Sequence, residues 1–199
     1  MAEKITIEIF RKKLPDELTK SLSEPDSRSD IGSGAALTAA TAAAYLTRAA
    51  ALSGSGEQNE RLDYIQRNGE ILRSYMIHLI DEDVKCRGPL RRAIREGDGY
   101  KIEASMQTAA AIANEIINMM SQLLELADEL SAMAAPEALR FIAASADLAM
   151  AAVRACMRYV LSLSKKSEDD TYRYVVRREN EITLRSCEER AASILERCG

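Results

Sequence analysis

Two carboxylates near the end of a long helical pattern are the first candidates for chemistry. Side chains placed about 100° apart form an apolar stripe that contains Leu72, Met76, Leu79 and Ile80. Asp83 falls inside this stripe, whereas Asp81 falls on the opposite side of the helix. Burial raises the pKa of a carboxyl group, which suits a general acid or base near neutral pH. Asp83 is therefore the first candidate for proton transfer and Asp81 the second; alternatively, the helix has left the core by Asp83 and the carboxylate is solvated.

Two other segments combine small and polar residues with predicted helices. Asp30-Ile31-Gly32-Ser33-Gly34 precedes an Ala-rich helix, and glycines there let backbone N–H groups approach an anion. The Lys-Ser/Thr ending of a P-loop is absent, so an ordinary capping loop is the alternative. Ser145-Ala146-Asp147 lies within a second Ala-rich helix. Asp147 there faces small side chains that leave room for a ligand or, alternatively, pairs with Arg154 on a surface face.

The composition argues against several kinds of site. The formal net charge is −4, which argues against nucleic acid as the main partner, because phosphate binding needs a basic surface. The single histidine, His78, excludes a metal site built on several histidines, and we expect neither a metal nor a cofactor. The four cysteines include no CxxC pair and predict free thiols rather than disulfides. With no signal-peptide pattern and no apolar stretch of membrane-spanning length, the expected location is the cytoplasm, away from membranes.

The hydrophobic pattern predicts an all-α protein. We expect one domain over residues 1–199, folded as an up-and-down bundle of four to five long, Ala-rich helices. The predicted helices cover residues 14–23, 34–52, 57–87, 90–96, 100–133, 136–166 and 168–197. Gly88-Pro89 is expected to end the long helix before it. Residues 5–10 are expected to form a short helix or a strand-like arm.

Two sequence features bear on how these helices pack. Alanine-rich helices allow interaxial distances at the low end of about 8–10 Å. The last helix carries an apolar series at heptad-like spacing, made of Leu184, Cys187, Ala191, Ile194 and Cys198. This series predicts packing either within the bundle or against a second chain.

The order of these segments resembles the cyclodeaminase/cyclohydrolase family of folate one-carbon enzymes. This family includes the C-terminal domain of formiminotransferase-cyclodeaminase and stand-alone methenyltetrahydrofolate cyclohydrolases. The resemblance extends from about Leu14 to Leu195, and its most specific part is Ile80-Asp81-Glu82-Asp83 at the end of a long helix. The family tends to have Ala-Glu-Ala-Phe after this segment and a Pro-Gly-Gly-Gly-Ser loop earlier. This chain has Val84-Lys85-Cys86-Arg87 and Asp30-Ile31-Gly32-Ser33-Gly34 in their places.

The resemblance implies an all-helical homodimer that acts on a tetrahydrofolate derivative as its substrate. Both family reactions need a proton carrier near the bridge carbon, and the helical-face argument assigns it to Asp83, with Asp81 as the second choice. The substrate-binding residues expected by resemblance are Gly32, Ser33, Gly34 and Asp147. Two alternatives remain open: a diverged, non-catalytic helical dimer that serves as a binding or scaffold module, and a four-helix bundle unrelated to folate.

Overall fold

The computed structural model describes residues 15–25, 27, 29–54 and 59–199. Of these residues 89% are helical, in six helices, and none lies in a strand. The helices are α1 (Pro15–Ser23), α2 (Ile31–Ser53), α3 (Glu60–Glu96), α4 (Gly99–Ser131), α5 (Pro136–Ser164) and α6 (Asp170–Cys198). The predicted all-α fold is confirmed. The arm predicted for residues 5–10 lies outside the described residues.

The helices α2 to α5 form a four-helix bundle. Each of them packs on the next, and α5 returns to pack against α2. Short connections between α3 and α4 and between α4 and α5 make these neighbours antiparallel. The last helix, α6, lies against α4 and α5. Within residues 15–25, 27, 29–54 and 59–199, no helix is long and apolar enough to cross a membrane.

Small side chains bring α2 close to both of its neighbours. Leu46 is the one large side chain among the buried residues of α2, which are otherwise alanine, glycine and serine. A Cβ added to Gly69 of α3 would lie 2.6 Å from the Oγ1 of Thr47 and 3.3 Å from its backbone nitrogen. On the other side, the Oγ of Ser145 in α5 donates a hydrogen bond of 2.8 Å to the carbonyl oxygen of Ala42. The Ser145 side chain therefore links α5 to α2 by a hydrogen bond.

The predicted end of the third helix at Arg87 is wrong, because α3 continues through Gly88 and Pro89 to Glu96. Proline removes one backbone hydrogen bond and disfavours helical geometry in the residue before it, but a glycine there has no Cβ to clash. Burial of Leu90 and Ala93 beyond this point favours continuation of the helix. It ends at Gly97, whose φ of 68° is left-handed, a conformation that glycine adopts readily.

The apolar series on α6 packs within the chain. Cys187, Ala191 and Ile194 are buried and belong to the single hydrophobic core that the bundle helices share. Packing within the bundle, the first of the two predicted alternatives, is thus observed for these three buried residues, and Leu184 and Cys198 are partly buried against the same core.

Candidate active site

The N-terminal turn of α2 is where the candidate site begins. The prediction of a loop up to Ser33 is wrong, because α2 starts at Ile31 and takes in the three predicted residues Gly32, Ser33 and Gly34. The reason is the N-cap residue Asp30, whose Oδ1 accepts a hydrogen bond of 2.7 Å from the Ile31 N–H. The N–H groups that follow Ile31 in this first turn have no backbone acceptor within the helix and are open to an acceptor from elsewhere.

That acceptor is Asp83 of α3. Its Oδ2 accepts hydrogen bonds from the Ser33 backbone N–H at 2.9 Å and from the Ser33 Oγ at 2.6 Å. Gly32 allows this approach, since a Cβ at that position would lie 2.6 Å from the Cγ of Asp83. Gly32 and Ser33, which the sequence singled out, are thus in direct contact with the carboxylate of Asp83.

Asp83 is fully buried, at 0% exposure, so the alternative of a solvated helix end is wrong. Burial raises the pKa of Asp83, and the two hydrogen bonds from Ser33 oppose this shift only in part. Its second oxygen, Oδ1, has no hydrogen-bond partner within the described part of the chain. A carboxyl group with a raised pKa and an unused acceptor atom is suited to accept and return a proton.

Asp81 is also buried, at 2% exposure, although the helical stripe places it on the opposite side from Asp83. A position opposite the apolar stripe is buried here because α3 packs against α2 on one side and against α4 on another. Two sides of the helix are therefore covered. The contacts with the start of α2 belong to Asp83, and the role assigned to Asp81 as second choice stays a prediction.

Two residues that sequence reasoning did not select lie beside Asp83. Arg87, one turn further along α3, forms an ion pair with Asp30, and its guanidinium carbon lies 5.1 Å from the ring centre of Tyr159 in α5. Burial lowers the pKa of Arg87. Tyr159 is 4% exposed, and its pKa is raised to about 12, chiefly by burial, with the Asp83 charge adding to the shift against the effect of Arg87. The only feature of the sequence that could have pointed to Tyr159 is that it is the one tyrosine of an Ala-rich helix.

The two cysteines near Asp83 are not nucleophiles at neutral pH. Burial, followed by the charge of Asp83, raises the pKa of the Cys86 thiol to about 12. The same two causes raise the pKa of the Cys156 thiol to about 12. Both thiols therefore keep their protons, and the carboxyl group remains the candidate for proton transfer.

A cleft of about 330 Å³ opens next to this group of residues. Its lining includes Leu22, Ser27, Asp30, Gly34, Arg87 and Arg91. Gly34, which was expected to bind substrate together with Gly32 and Ser33, thus lines the cleft. Asp83 does not line it. The Arg87–Asp30 ion pair belongs to the cleft wall, so a molecule in the cleft meets this pair before the carboxylate of Asp83.

The structure places Asp147 apart from these residues. It is exposed on α5, twelve residues before Tyr159, which corresponds to about 18 Å along the helix. Arg154, its predicted partner, instead pairs with Glu188 of α6 at 3.1 Å. Gly32, Ser33 and Asp83 are brought together and Asp147 is not, so its substrate-binding role stays a prediction.

Comparison with known proteins agrees with this architecture. The crystal structure of a formiminotetrahydrofolate cyclodeaminase from Thermotoga maritima superimposes with a TM-score of 0.83, over 93% of this chain and 96% of that chain. The two sequences are 19% identical, so this likeness concerns the fold. No curated protein matches in sequence.

The sequence itself matches a family model over most of its length. The model is that of formiminotransferase-cyclodeaminase, and the match covers residues 16–181. This range includes α2, α3, α4 and α5, and with them every residue of the site described above. The alternative of a helical bundle unrelated to this family is therefore wrong, and the chain belongs to the formiminotransferase-cyclodeaminase family.

Proposed function

We propose that this protein is a folate one-carbon enzyme, either a formimidoyltetrahydrofolate cyclodeaminase or a methenyltetrahydrofolate cyclohydrolase. Membership of the formiminotransferase-cyclodeaminase family supports the folate substrate class. The observation that supports acid–base catalysis is the buried Asp83. It accepts hydrogen bonds from Ser33 in the first turn of α2, and its pKa is raised. By the family resemblance we also expect the enzyme to act as a homodimer in the cytoplasm.

Both reactions require a proton to move at the bridge carbon. In the cyclodeaminase reaction, one folate nitrogen attacks the formimino carbon held by the other, loses its proton, and ammonia leaves with a proton gained. In the cyclohydrolase reaction, water adds to the methenyl bridge, loses a proton, and the ring opens. One carboxyl group that accepts a proton and then returns it serves either reaction. The proposal assigns this task to Asp83, without a metal or other cofactor.

Access to Asp83 runs through the cleft. Arg87 and Asp30 line the cleft, whereas Asp83 does not. The Arg87–Asp30 ion pair therefore has to separate or shift when substrate binds. Asp83 is fully buried, and exclusion of water from its surroundings strengthens the interaction of the carboxylate with a bound substrate.

The test is an assay of the purified protein with both folates. Formation of methenyl absorbance from the formimidoyl derivative reports the cyclodeaminase reaction, and its loss from the methenyl derivative reports the cyclohydrolase reaction. Asp83→Asn keeps the size of the side chain but removes the proton-accepting group, so we expect turnover to fall by about 10²–10⁴-fold. Asp63→Asn is the matched control, because Asp63 is an exposed residue of the same helix, about 30 Å away along its axis.

The possible outcomes separate the hypotheses. Wild-type protein that neither binds nor converts either folate contradicts the proposed function. Binding without turnover favours the alternative of a diverged binding or scaffold module. Full activity of a folded Asp83→Asn variant, judged by its circular dichroism, shows that Asp83 is the wrong carboxylate, and Asp81→Asn is then the next variant to assay.

A further inference from the structure

Three buried polar atoms without hydrogen bonds belong to residues on the facing parts of α3 and α5, where Arg87 of α3 lies over the ring of Tyr159 of α5. They are the Oδ1 of Asp83, the Nε of Arg87 and the hydroxyl oxygen of Tyr159, none of which has a hydrogen-bond partner of acceptable geometry in the described ranges. Buried polar groups in folded proteins are almost always hydrogen-bonded, and an unsatisfied one costs about 1–3 kcal/mol. A cluster of them indicates a place that is completed by a bound molecule.

The hydroxyl of Tyr159 is a hydrogen-bond donor without an acceptor, and the carboxylate of Asp83 has an acceptor oxygen without a donor. A guanidinium has only donors, so Arg87 cannot accept the Tyr159 proton although it lies over the ring. Asp83 has an unused acceptor oxygen, yet Tyr159 and Asp83 do not bond to each other. Tyr159 nevertheless lies against the segment of α3 that carries Asp83, because Arg87, one helical turn after Asp83, has its guanidinium carbon 5.1 Å from the centre of the Tyr159 ring. A bound molecule that accepts from the Tyr159 hydroxyl and donates to Asp83 Oδ1 would satisfy both groups.

We propose that Tyr159 is a second catalytic residue, whose hydroxyl donates a hydrogen bond to the reacting nitrogen or water oxygen while Asp83 carries the proton. This inference rests on the proposed folate reaction. In the cyclodeaminase direction, the proton of the attacking nitrogen passes to Asp83, the new C–N bond forms, and the bond to the departing nitrogen breaks as Asp83 returns the proton. Tyr159 orients the departing nitrogen and keeps its own proton, in agreement with a pKa of about 12.

A purely structural role for Tyr159 predicts different behaviour. In that case the ring fills the space between α3 and α5 and supports Arg87, and the hydroxyl contributes nothing to turnover. Tyr159→Phe separates the two roles, because it keeps the ring and removes only the oxygen. Tyr174→Phe on α6 is the matched control, since Tyr174 is 70% exposed.

The experiment measures kcat, KM and unfolding of Tyr159→Phe beside wild type and Tyr174→Phe. We expect kcat to fall by about 10²-fold, the loss typical of one hydrogen-bond donor to a reacting group, with KM changed by less than about threefold. The acid limb of the pH–rate profile should remain, because Asp83 is intact. The variant should unfold at the same denaturant concentration as wild type or a higher one, because it removes an unsatisfied buried hydroxyl.

Each contrary result has a definite meaning. Wild-type kcat in Tyr159→Phe, with an active parent enzyme, overturns this inference and leaves the proposed function standing. Loss of folding in Tyr159→Phe also overturns it, since the hydroxyl would then have a structural partner. Wild-type protein that is inactive on both folates overturns the proposed function and this inference with it.

Discussion

At the scale of the residue, Asp83 is subject to two opposed electrostatic effects. The N–H and O–H of Ser33 bind its charged form, and the positive end of the α2 dipole acts in the same direction. Removal of the carboxylate from water disfavours the charged form, and this effect prevails, so the pKa of Asp83 is raised. The anion that the sequence placed near Gly32 and Ser33 is thus, in this structure, a carboxylate of the chain itself.

A raised carboxyl pKa makes stability depend on pH in a known direction. Below the ordinary aspartate value of about 3.8, Asp83 is protonated in both the folded and the unfolded chain. As pH rises above this value, Asp83 ionises in the unfolded chain before it ionises in the folded chain. The free energy of unfolding therefore falls until the pH passes the pKa of Asp83 in the folded chain. Asp83→Asn has no charge to bury, so we expect its free energy of unfolding, relative to wild type, to increase as pH rises above about 3.8 and to level off only above the folded-state pKa of Asp83. Urea unfolding over a pH series measures this; a difference that decreases with rising pH contradicts the raised pKa.

The side chains of the site differed in how far the sequence revealed them. Asp83 could be predicted because one helix, read alone, puts it on an apolar stripe. Arg87 is one turn from Asp83 on the same helix, but its importance depends on Asp30 and Tyr159, which other elements supply. Contacts between helices follow from their packing, and no periodicity within a single helix encodes them.

At the scale of the element, α2 and α3 lie close together at Gly69. A Cβ there would meet Thr47, whose Oγ1 is held by a hydrogen bond of 2.9 Å to the carbonyl oxygen of Ala43. That Cβ would also lie 3.5 Å from the same carbonyl oxygen, so backbone atoms of α2 limit any adjustment. A glycine inside a helix lowers helix propensity, but here it allows the two helices to pack closely.

Gly69→Ala should therefore destabilise the protein although alanine is the better helix former. We expect a net loss of up to about 2 kcal/mol, because overpacking costs about 1–3 kcal/mol and the better helix propensity of alanine restores about 1 kcal/mol. Gly34→Ala is the control for stability, because its Cβ would make an ordinary contact of 3.6 Å with Leu22; it should gain about 0.5–1 kcal/mol. Equal stability changes for the two variants in urea unfolding would show that α2 and α3 are not in close contact.

Helix bounds show what else the sequence left undetermined at this scale. The presence and type of five long helices follow from the hydrophobic pattern. The course of α3 through Gly88 and Pro89 does not follow from it, because local preference disfavours a helix there and burial of Leu90 and Ala93 overrides that preference. Tertiary packing thus decides a boundary that turn signals alone misplace.

At the scale of the whole molecule, α6 completes the core that the four-helix bundle leaves open. Only five of its residues are buried, namely Val176, Asn180, Cys187, Ala191 and Ile194. Its exposed residues are mostly polar, apart from apolar side chains such as Ile182 and Tyr174. Ion pairs from Arg190 to Glu125 and from Arg197 to Asp128 connect it to α4. Exposed ion pairs of this kind contribute little, so the few apolar contacts must provide most of its attachment.

Ile194 tests this attachment. It is fully buried at 0% exposure, whereas Ile182 on the same helix is 59% exposed. Ile194→Ala should cost about 2–5 kcal/mol, through lost burial and the cavity that remains, whereas Ile182→Ala should stay within about 0.5 kcal/mol of wild type. Because the apolar series of α6 packs within its own chain, the mass measured by sedimentation should be the same for Ile194→Ala and wild type. If Ile194→Ala instead lowers the sedimenting mass and leaves the unfolding free energy of the separated chain unchanged, the series lies between two chains, and the position of α6 in the core is wrong.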